Sequence, residues 1–257
     1  MSDASTRDIY LFGTCLIDVL YPEAGMATVH LLEHFGYRVH FPQDQTCCGQ
    51  PAYNAGFRDA AFDVAKRQLR LFPHAWPIVV PSGSCAGMFR HDYPELFQNT
   101  PQASLARDIA SRVVELSAFL MDIPAEKWPA RSAPEKTLVV HTSCSARRGL
   151  AQGSLAQALI NRLPGLRALE PESASECCGF GGTFAVKQPE ISIAMTATKC
   201  QALQATGTNQ LVSGDCGCLM NLNGYLEQKG SSLKGEHLAS FLWREIKART
   251  SPSEGDQ

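Results

Sequence analysis

The chain is predicted to be an α/β protein of two pseudo-symmetric, Rossmann-like units, each with a parallel sheet and each a copy of one cysteine-bearing plan. Three observations predict this. Short apolar runs alternate with longer helical patterns, as strands and covering helices do in parallel sheets. The cysteine pattern occurs twice: Cys15, Cys47-Cys48 and Cys85, then Cys144, Cys177-Cys178 and Cys216/Cys218, with Gly49 and Gly179 directly after the vicinal pairs. Such self-similarity over half a chain is the mark of a duplication. Between the copies, Pro124, Pro129 and Pro134 break any helix and read as a connection.

These signals divide the chain into an N-terminal unit over residues 7–122, a linker over 123–135, a C-terminal unit over 136–248, and a polar tail over 249–257 expected to be disordered. Ile9–Gly13, Arg38–Phe41 and Ile78–Val80 are expected strands of the first unit. Leu138–His141, Leu166–Leu169 and Gln210–Ser213 match them in the second. Helices are expected over Glu23–Phe35, Ala55–Phe72, Leu105–Leu120, Leu155–Arg162, Pro189–Leu203 and Leu219–Gln228. Within the second of these, Phe57, Ala61, Val64, Ala65 and Leu69 recur at helical spacing and are expected to face the sheet.

Composition narrows the function. The formal charge of −2 comes without a basic block, which argues against nucleic acid or an anionic membrane surface as partner. No apolar run reaches the ~18 residues of a spanning helix. Ile9–Leu20, interrupted by Asp18, is a poor signal peptide, so the expected location is cytoplasmic. In a reducing compartment, clustered cysteines bind metal or do redox chemistry more often than they form disulfides.

Each cysteine motif falls where an expected strand ends and a helix begins. This is the ligand-binding edge of a parallel sheet, where free N–H groups also favour anionic groups. Cys15, Cys47, Cys48 and Cys85 are therefore expected to converge in one site, and Cys144, Cys177, Cys178 and Cys218 in another, with Cys216 a further candidate beside Cys218. Four thiolates suit a [4Fe–4S] cluster, and they also suit tetrahedral zinc. Adjacent cysteines in extended backbone point apart, which favours a group with several metal corners. The alternatives are one cluster with zinc at one site or an empty site, or thiols that are unligated or paired.

Gly49, Gly179, Gly181 and Gly182 would let the backbone approach the bound group closely. Cys200, within a helical pattern, is expected to be an inert buried thiol. His30 and His34 share a helix face without a convincing zinc motif. His141, three positions before Cys144, is expected to be a packed histidine, with proton relay as the functional alternative. Arg148, next to Arg147 after Cys144, could hold a substrate carboxylate through a bidentate contact, and Lys187 could do so more weakly.

The residues resemble a known family. Cys-Cys-Gly in two copies, each with an upstream and a downstream cysteine, looks like the cysteine-rich CCG domain. That domain occurs in heterodisulfide reductase, in the iron–sulfur components of glycolate oxidase and anaerobic glycerol-3-phosphate dehydrogenase, and in lactate-utilisation proteins. The likeness is closer to the lactate-utilisation A type. It rests on Gln45-Thr46-Cys47-Cys48-Gly49-Gln50-Pro51-Ala52-Tyr53-Asn54, Pro81-Ser82-Gly83-Ser84-Cys85, Glu176-Cys177-Cys178-Gly179-Phe180-Gly181-Gly182-Thr183-Phe184 and Gly217-Cys218-Leu219-Met220-Asn221.

The resemblance implies an oxidoreductase component of an L-lactate oxidation complex. It would make pyruvate and move electrons through one or two iron–sulfur clusters. The implied partners are a ferredoxin-like iron–sulfur protein, a third small protein and a small 2-hydroxy acid. Rival readings are the same chassis serving glycolate, glycerol 3-phosphate or a heterodisulfide, and a zinc-stabilised scaffold without redox function. The family's Cys-x-x-Cys ending departs here, with Ser82 and Asp215 standing at its first position in the two halves.

Overall fold

A computed structural model of the chain describes residues 7–131 and 133–250. Two four-stranded sheets carry the fold, and every strand pair in them is parallel. The first comprises β1 (Arg7–Leu11), β2 (Tyr37–His40), β3 (Ile78–Val80) and β4 (Val113–Glu115), in the order β2-β1-β3-β4. The second comprises β5 (Lys136–His141), β6 (Leu166–Leu169), β7 (Gln210–Ser213) and β8 (Lys234–His237), in the order β6-β5-β7-β8. The same order recurs strand for strand, so the duplication seen in the cysteines is a duplication of topology. In each sheet the order reverses beside the first strand, which opens a crevice at the strands' carboxyl ends.

Strand alternation explains how the halves join. Ile9 and Val79 of the first sheet and Leu138, Val140 and Val212 of the second share one buried cluster with Leu31, Leu32, Leu159, Phe241 and Ile246. Their strand neighbours face the other way. Tyr10, Ile78 and Val80 enter a second cluster, and Val139 and Leu211 a third. Successive side chains on a strand point to opposite faces, so one face of each sheet lies on a common core and the other has its own helices. The helices Pro22–His34 and Leu238–Thr250 meet in the common core, with His30 stacked on Trp243 at 5.3 Å between ring centres.

The connecting segment packs in a way its sequence does not announce, and other expectations are corrected. The linker is a packed strap: Ile123 and Trp128 are buried in the shared core around the short turn Ala125–Lys127, and Trp128 meets the Phe35 ring at 4.9 Å. The tail does not begin at residue 249. Arg249 is buried in the last helix, where Nη1 donates to Glu245 Oε2 at 2.7 Å and Nη2 to the Pro164 carbonyl at 3.1 Å. Residues 251–257 lie outside the described residues.

The helix expected over Ala55–Phe72 is shorter, running over Arg58–Gln68. Gln50–Asn54 and Arg58–Gln68 are separate helices, joined through Gly56 at φ +83°, and Phe57 is exposed instead of facing the sheet. The helix expected over Leu105–Leu120 is interrupted by β4, where Val113 and Val114 pair with Ile78 and Val79. Sheet pairing there overrides a helical periodicity that runs straight through. The edge strand β8 is largely polar, and its sequence carried no apolar run to announce it.

Candidate metal centre

The cysteines of both halves line one cleft between the two sets of strand ends. Its walls include Cys15, Cys47, Cys48 and Cys85 from the first half and Cys144, Cys177, Cys178, Cys216 and Cys218 from the second, along with Phe180, Gly181 and Gly182. Local structure places each sulfur. Cys15 opens the helix Cys15–Leu20 behind Thr14, whose positive φ of 60° is strained for a residue with a Cβ. Cys85 lies in the helix Gly83–Gly87 capped by Ser82, and Cys216 and Cys218 lie in the first turn of Cys216–Gln228.

The loops bearing the vicinal pairs are pinned at several points. Gln45 accepts from the Gly13 N–H at 2.9 Å and donates to the Leu11 carbonyl at 2.9 Å, tying the first loop to the end of β1. The Cys48 carbonyl accepts from the Tyr93 hydroxyl at 2.9 Å. The Cys178 carbonyl accepts from Asn221 Nδ2 at 2.9 Å and Thr196 Oγ1 at 3.0 Å. Gly49 and Gly179 have φ of +92° and +85°, and their N–H groups donate to the sulfurs of Cys47 and Cys177 at 3.4 Å.

A side chain at Gly179 meets a hard obstacle, since its Cβ would lie 2.5 Å from the Ser192 carbonyl oxygen. With the positive φ added, Gly179→Ala is expected to lower stability by about 2 kcal/mol or more. Thermal unfolding of the two proteins checks this.

The sulfurs form a chain of contacts in each half. Cys15 and Cys48 hydrogen-bond to Cys47, and Cys48 donates to Cys85 at 3.3 Å. Cys144 and Cys178 hydrogen-bond to Cys177, and Cys178 to Cys218. These hydrogen bonds push Cys47 down to about 3 and Cys177 down to about 2, with the Gly49 and Gly179 N–H groups assisting. The partner thiols move upward: Cys15, Cys48, Cys144 and Cys178 are all raised, first by their bond to the central sulfur and then by burial. A group of sulfurs this close, with one strongly acidic member, is an electron-rich donor set. It fits a thiolate-bound iron–sulfur cluster or zinc.

The remaining expected residues divide. His141 is 1% exposed, and neither ring nitrogen has a hydrogen-bond partner among the described residues. One of its nitrogens and the sulfurs of Cys178 and Cys218 lie within 4.8 Å of one another. Burial pushes His141 down to about 3, with the Lys199 ammonium adding to the effect. Arg148 is exposed, donates to the Ser175 carbonyl at 3.1 Å, and does not belong to the cleft wall. Its expected place beside a substrate carboxylate is therefore corrected. Arg147 pairs with Glu170 in the same outer region, and Lys187 lies over the Phe57 ring at 5.0 Å. Cys200 is fully buried away from the cleft, its thiol pushed up to about 11 by burial.

The main feature that sequence reasoning did not assemble is the seam between the halves. Asp215 is buried, and its Oδ1 accepts from Ser82 Oγ at 2.6 Å, Ser84 Oγ at 2.7 Å and Ser84 N at 3.2 Å. The residues three positions before Cys85 and Cys218, equivalent in the two halves, thus bond to each other. Beside them, His237 Nε2 reaches the carbonyls of Pro81 at 3.1 Å and Gly214 at 3.3 Å. Lys199 is also new: it is fully buried, and its Nζ donates to the carbonyls of Ser173 at 2.6 Å and Ala174 at 3.2 Å. A lysine on the buried face of a helical pattern is the one signal that could have marked it.

Paired parallel sheets, whose strand ends bring four and five cysteines to one cleft, define a duplicated cysteine-rich protein. The family described as "Cysteine-rich domain" (CCG) matches residues 9–90 and 138–223. The chain belongs to this family. Similar curated proteins include the Lactate utilization protein A of Halalkalibacterium halodurans, 41% identical over 242 residues, covering 94% of this chain and 98% of that protein. Lactate utilization protein A of Macrococcus caseolyticus is 37% identical over 243 residues, with coverage of 94% and 98%. Among solved structures, a hypothetical protein from Helicobacter pylori matches with a TM-score of 0.65 at 12% identity. It covers 97% of this chain but only 50% of that longer chain, and the likeness is one of fold. Among the described residues, no helix is long and apolar enough to cross a membrane.

Proposed function

We propose that this chain is the iron–sulfur component of a lactate-utilisation system, oxidising L-lactate to pyruvate with partner proteins and carrying the electrons through cysteine-held clusters. The observation that carries the reading is the single cleft shared by the two four-cysteine sets. Relatives spanning nearly the whole chain and named for lactate utilisation support the choice of substrate. Cys15, Cys47, Cys48 and Cys85 are the ligands of one cluster, and Cys144, Cys177, Cys178 and Cys218 those of the other. Bound clusters supply one-electron acceptors, which a two-electron oxidation in a chain without a flavin fingerprint requires.

The rest of the work falls to the chain itself. The Gly49 and Gly179 N–H groups steady the anionic sulfur of the central cysteines. Phe180, Gly181 and Gly182 shape one wall of the cleft, with the glycines leaving room beside the second site. The electrons pass to a ferredoxin-like iron–sulfur partner, and a third small protein completes the system in the cytoplasm.

The test is anaerobic purification with iron, acid-labile sulfide and zinc quantified together, then electron transfer by the reconstituted system with L-lactate, glycolate and glycerol 3-phosphate in turn. Iron and sulfide in comparable amounts, with reduction driven by L-lactate in preference to the others, are expected. Zinc without iron would sink the redox reading, and a preference for another donor would move the substrate.

A further inference from the structure

The two cysteine sites share a backbone plan but not their surroundings. Three residues before Cys144, at the end of β5, stands His141. Three residues before Cys15 stands Phe12, fully buried in the apolar cluster that also holds Cys48 and Cys85, with its ring edge-on to Phe89 at 4.9 Å. At one topological position the first site therefore has a hydrocarbon ring and the second an imidazole.

That imidazole is not accounted for by packing. A buried histidine normally satisfies its ring nitrogens, and leaving a buried polar group unpaired costs about 1–3 kcal/mol. His141 leaves both without a hydrogen-bond partner among the described residues, while one lies in a group of donor atoms, all within 4.8 Å, with the sulfurs of Cys178 and Cys218. Ligands about 2.0–2.3 Å from one metal sit at such separations.

Against the ring is a cavity of about 20 Å³ whose mixed lining includes Glu115, Thr142 and Gln152 beside Ala146, Ala156 and Leu238, and Gln152 Oε1 is likewise buried and unpartnered among the described residues. The cavity has room for one water. A water there would accept from the second ring nitrogen and donate to Gln152, the kind of outer partner a ligating imidazole takes.

We infer that His141 is an imidazole-nitrogen ligand to iron in the second site, which makes the two clusters chemically unequal: one held by sulfur alone, the other by sulfur and nitrogen. This inference rests on the iron–sulfur reading above. The imidazole joins the thiolates as a neutral donor, so it gives the second site a nitrogen ligand without adding negative charge. The fully buried Lys199 ammonium, whose interactions include Cys178 and Cys218, favours added negative charge there and so raises the reduction potential of the second site. The second site is then the one reduced first, and electrons run from the Phe12 side to the His141 side.

The test uses the whole chain, purified anaerobically with 15N-labelled histidine, assayed for iron and sulfide, reduced, and examined by pulsed electron paramagnetic resonance. A strongly coupled histidine nitrogen is expected in the wild type. It should vanish in His141→Phe, which copies the first half, and in His141→Gln, while the signal of the all-sulfur cluster persists. An iron-replete wild type with no strongly coupled histidine nitrogen overturns the inference and leaves the iron–sulfur reading standing. A coupling unchanged in both variants does the same. A protein that binds no iron overturns both.

Discussion

Cys218→Ser is expected to strip the second site of its iron, about half of the total in a protein with two clusters of equal size. Cys216→Ser is expected to leave that iron in place. The two cysteines share one helical turn, but their surroundings differ. Cys218 hydrogen-bonds to Cys178 as Cys85 does to Cys48, so it closes the second chain of sulfurs in the manner of the first. Cys216 is raised first by burial and then by the charges of Asp215, Glu23, Cys85 and Cys218, with no bond to another sulfur contributing. Lactate-dependent turnover of the complete system should fall by ~100-fold or more in Cys218→Ser, since even outer-shell partners of a metal site cost about 10–100-fold. Iron analysis with parallel turnover assays reads both effects. Iron lost from Cys216→Ser and kept in Cys218→Ser would assign the ligands the other way.

Asp215→Ala is expected to weaken the joint between the halves. Three donors converge on one buried carboxylate oxygen, and the substitution leaves all three without it. Hydrogen bonds to a charged group contribute about 1.5–3 kcal/mol each. Part of the loss is offset by Glu115, a buried carboxyl pushed up to about 7 by burial, with the Asp215 charge adding to the shift. Removing Asp215 relieves that repulsion. A net loss of about 3 kcal/mol is the expected outcome, a fall in Tm of roughly 6–12 °C for a chain of this size. Asp215→Asn keeps an acceptor oxygen and should lose less. Thermal unfolding of the metal-free and metal-loaded forms checks this, and an Ala variant as stable as wild type would show that the seam contributes little.

Much of the site is legible in the sequence because its signals are local. The vicinal pairs, the glycines after them and the strand ends before them all lie within a few residues of one another. A parallel sheet then gathers its strand ends without further instruction. The elements that escape notice depend on distant partners. Val113 and Val114 continue a helical periodicity and become a strand only because Ile78 and Val79 are free to pair with them. Trp128 reads as part of a proline-rich connection, yet it is buried because the strap crosses the common core. Arg148 follows Cys144 closely in the chain, but spacing does not fix the direction of a long side chain, and its guanidinium reaches the Ser175 carbonyl outside the cleft.

By itself, the sequence determined that there are two copies, that each is a parallel α/β unit, and that each brings four cysteines to one edge. Periodicity, glycine placement and a repeated motif carry that information along the chain. Only the tertiary structure decided that both edges open on a single cleft, that Ser82 and Asp215 bond across the seam, and that His141 and Phe12 make the two sites unlike. Those facts rest on contacts between residues as much as 133 positions apart. Such contacts form because the two sheets bury their inner faces against each other, which leaves polar groups at the junction no water to bond with and so selects partners from the opposite half.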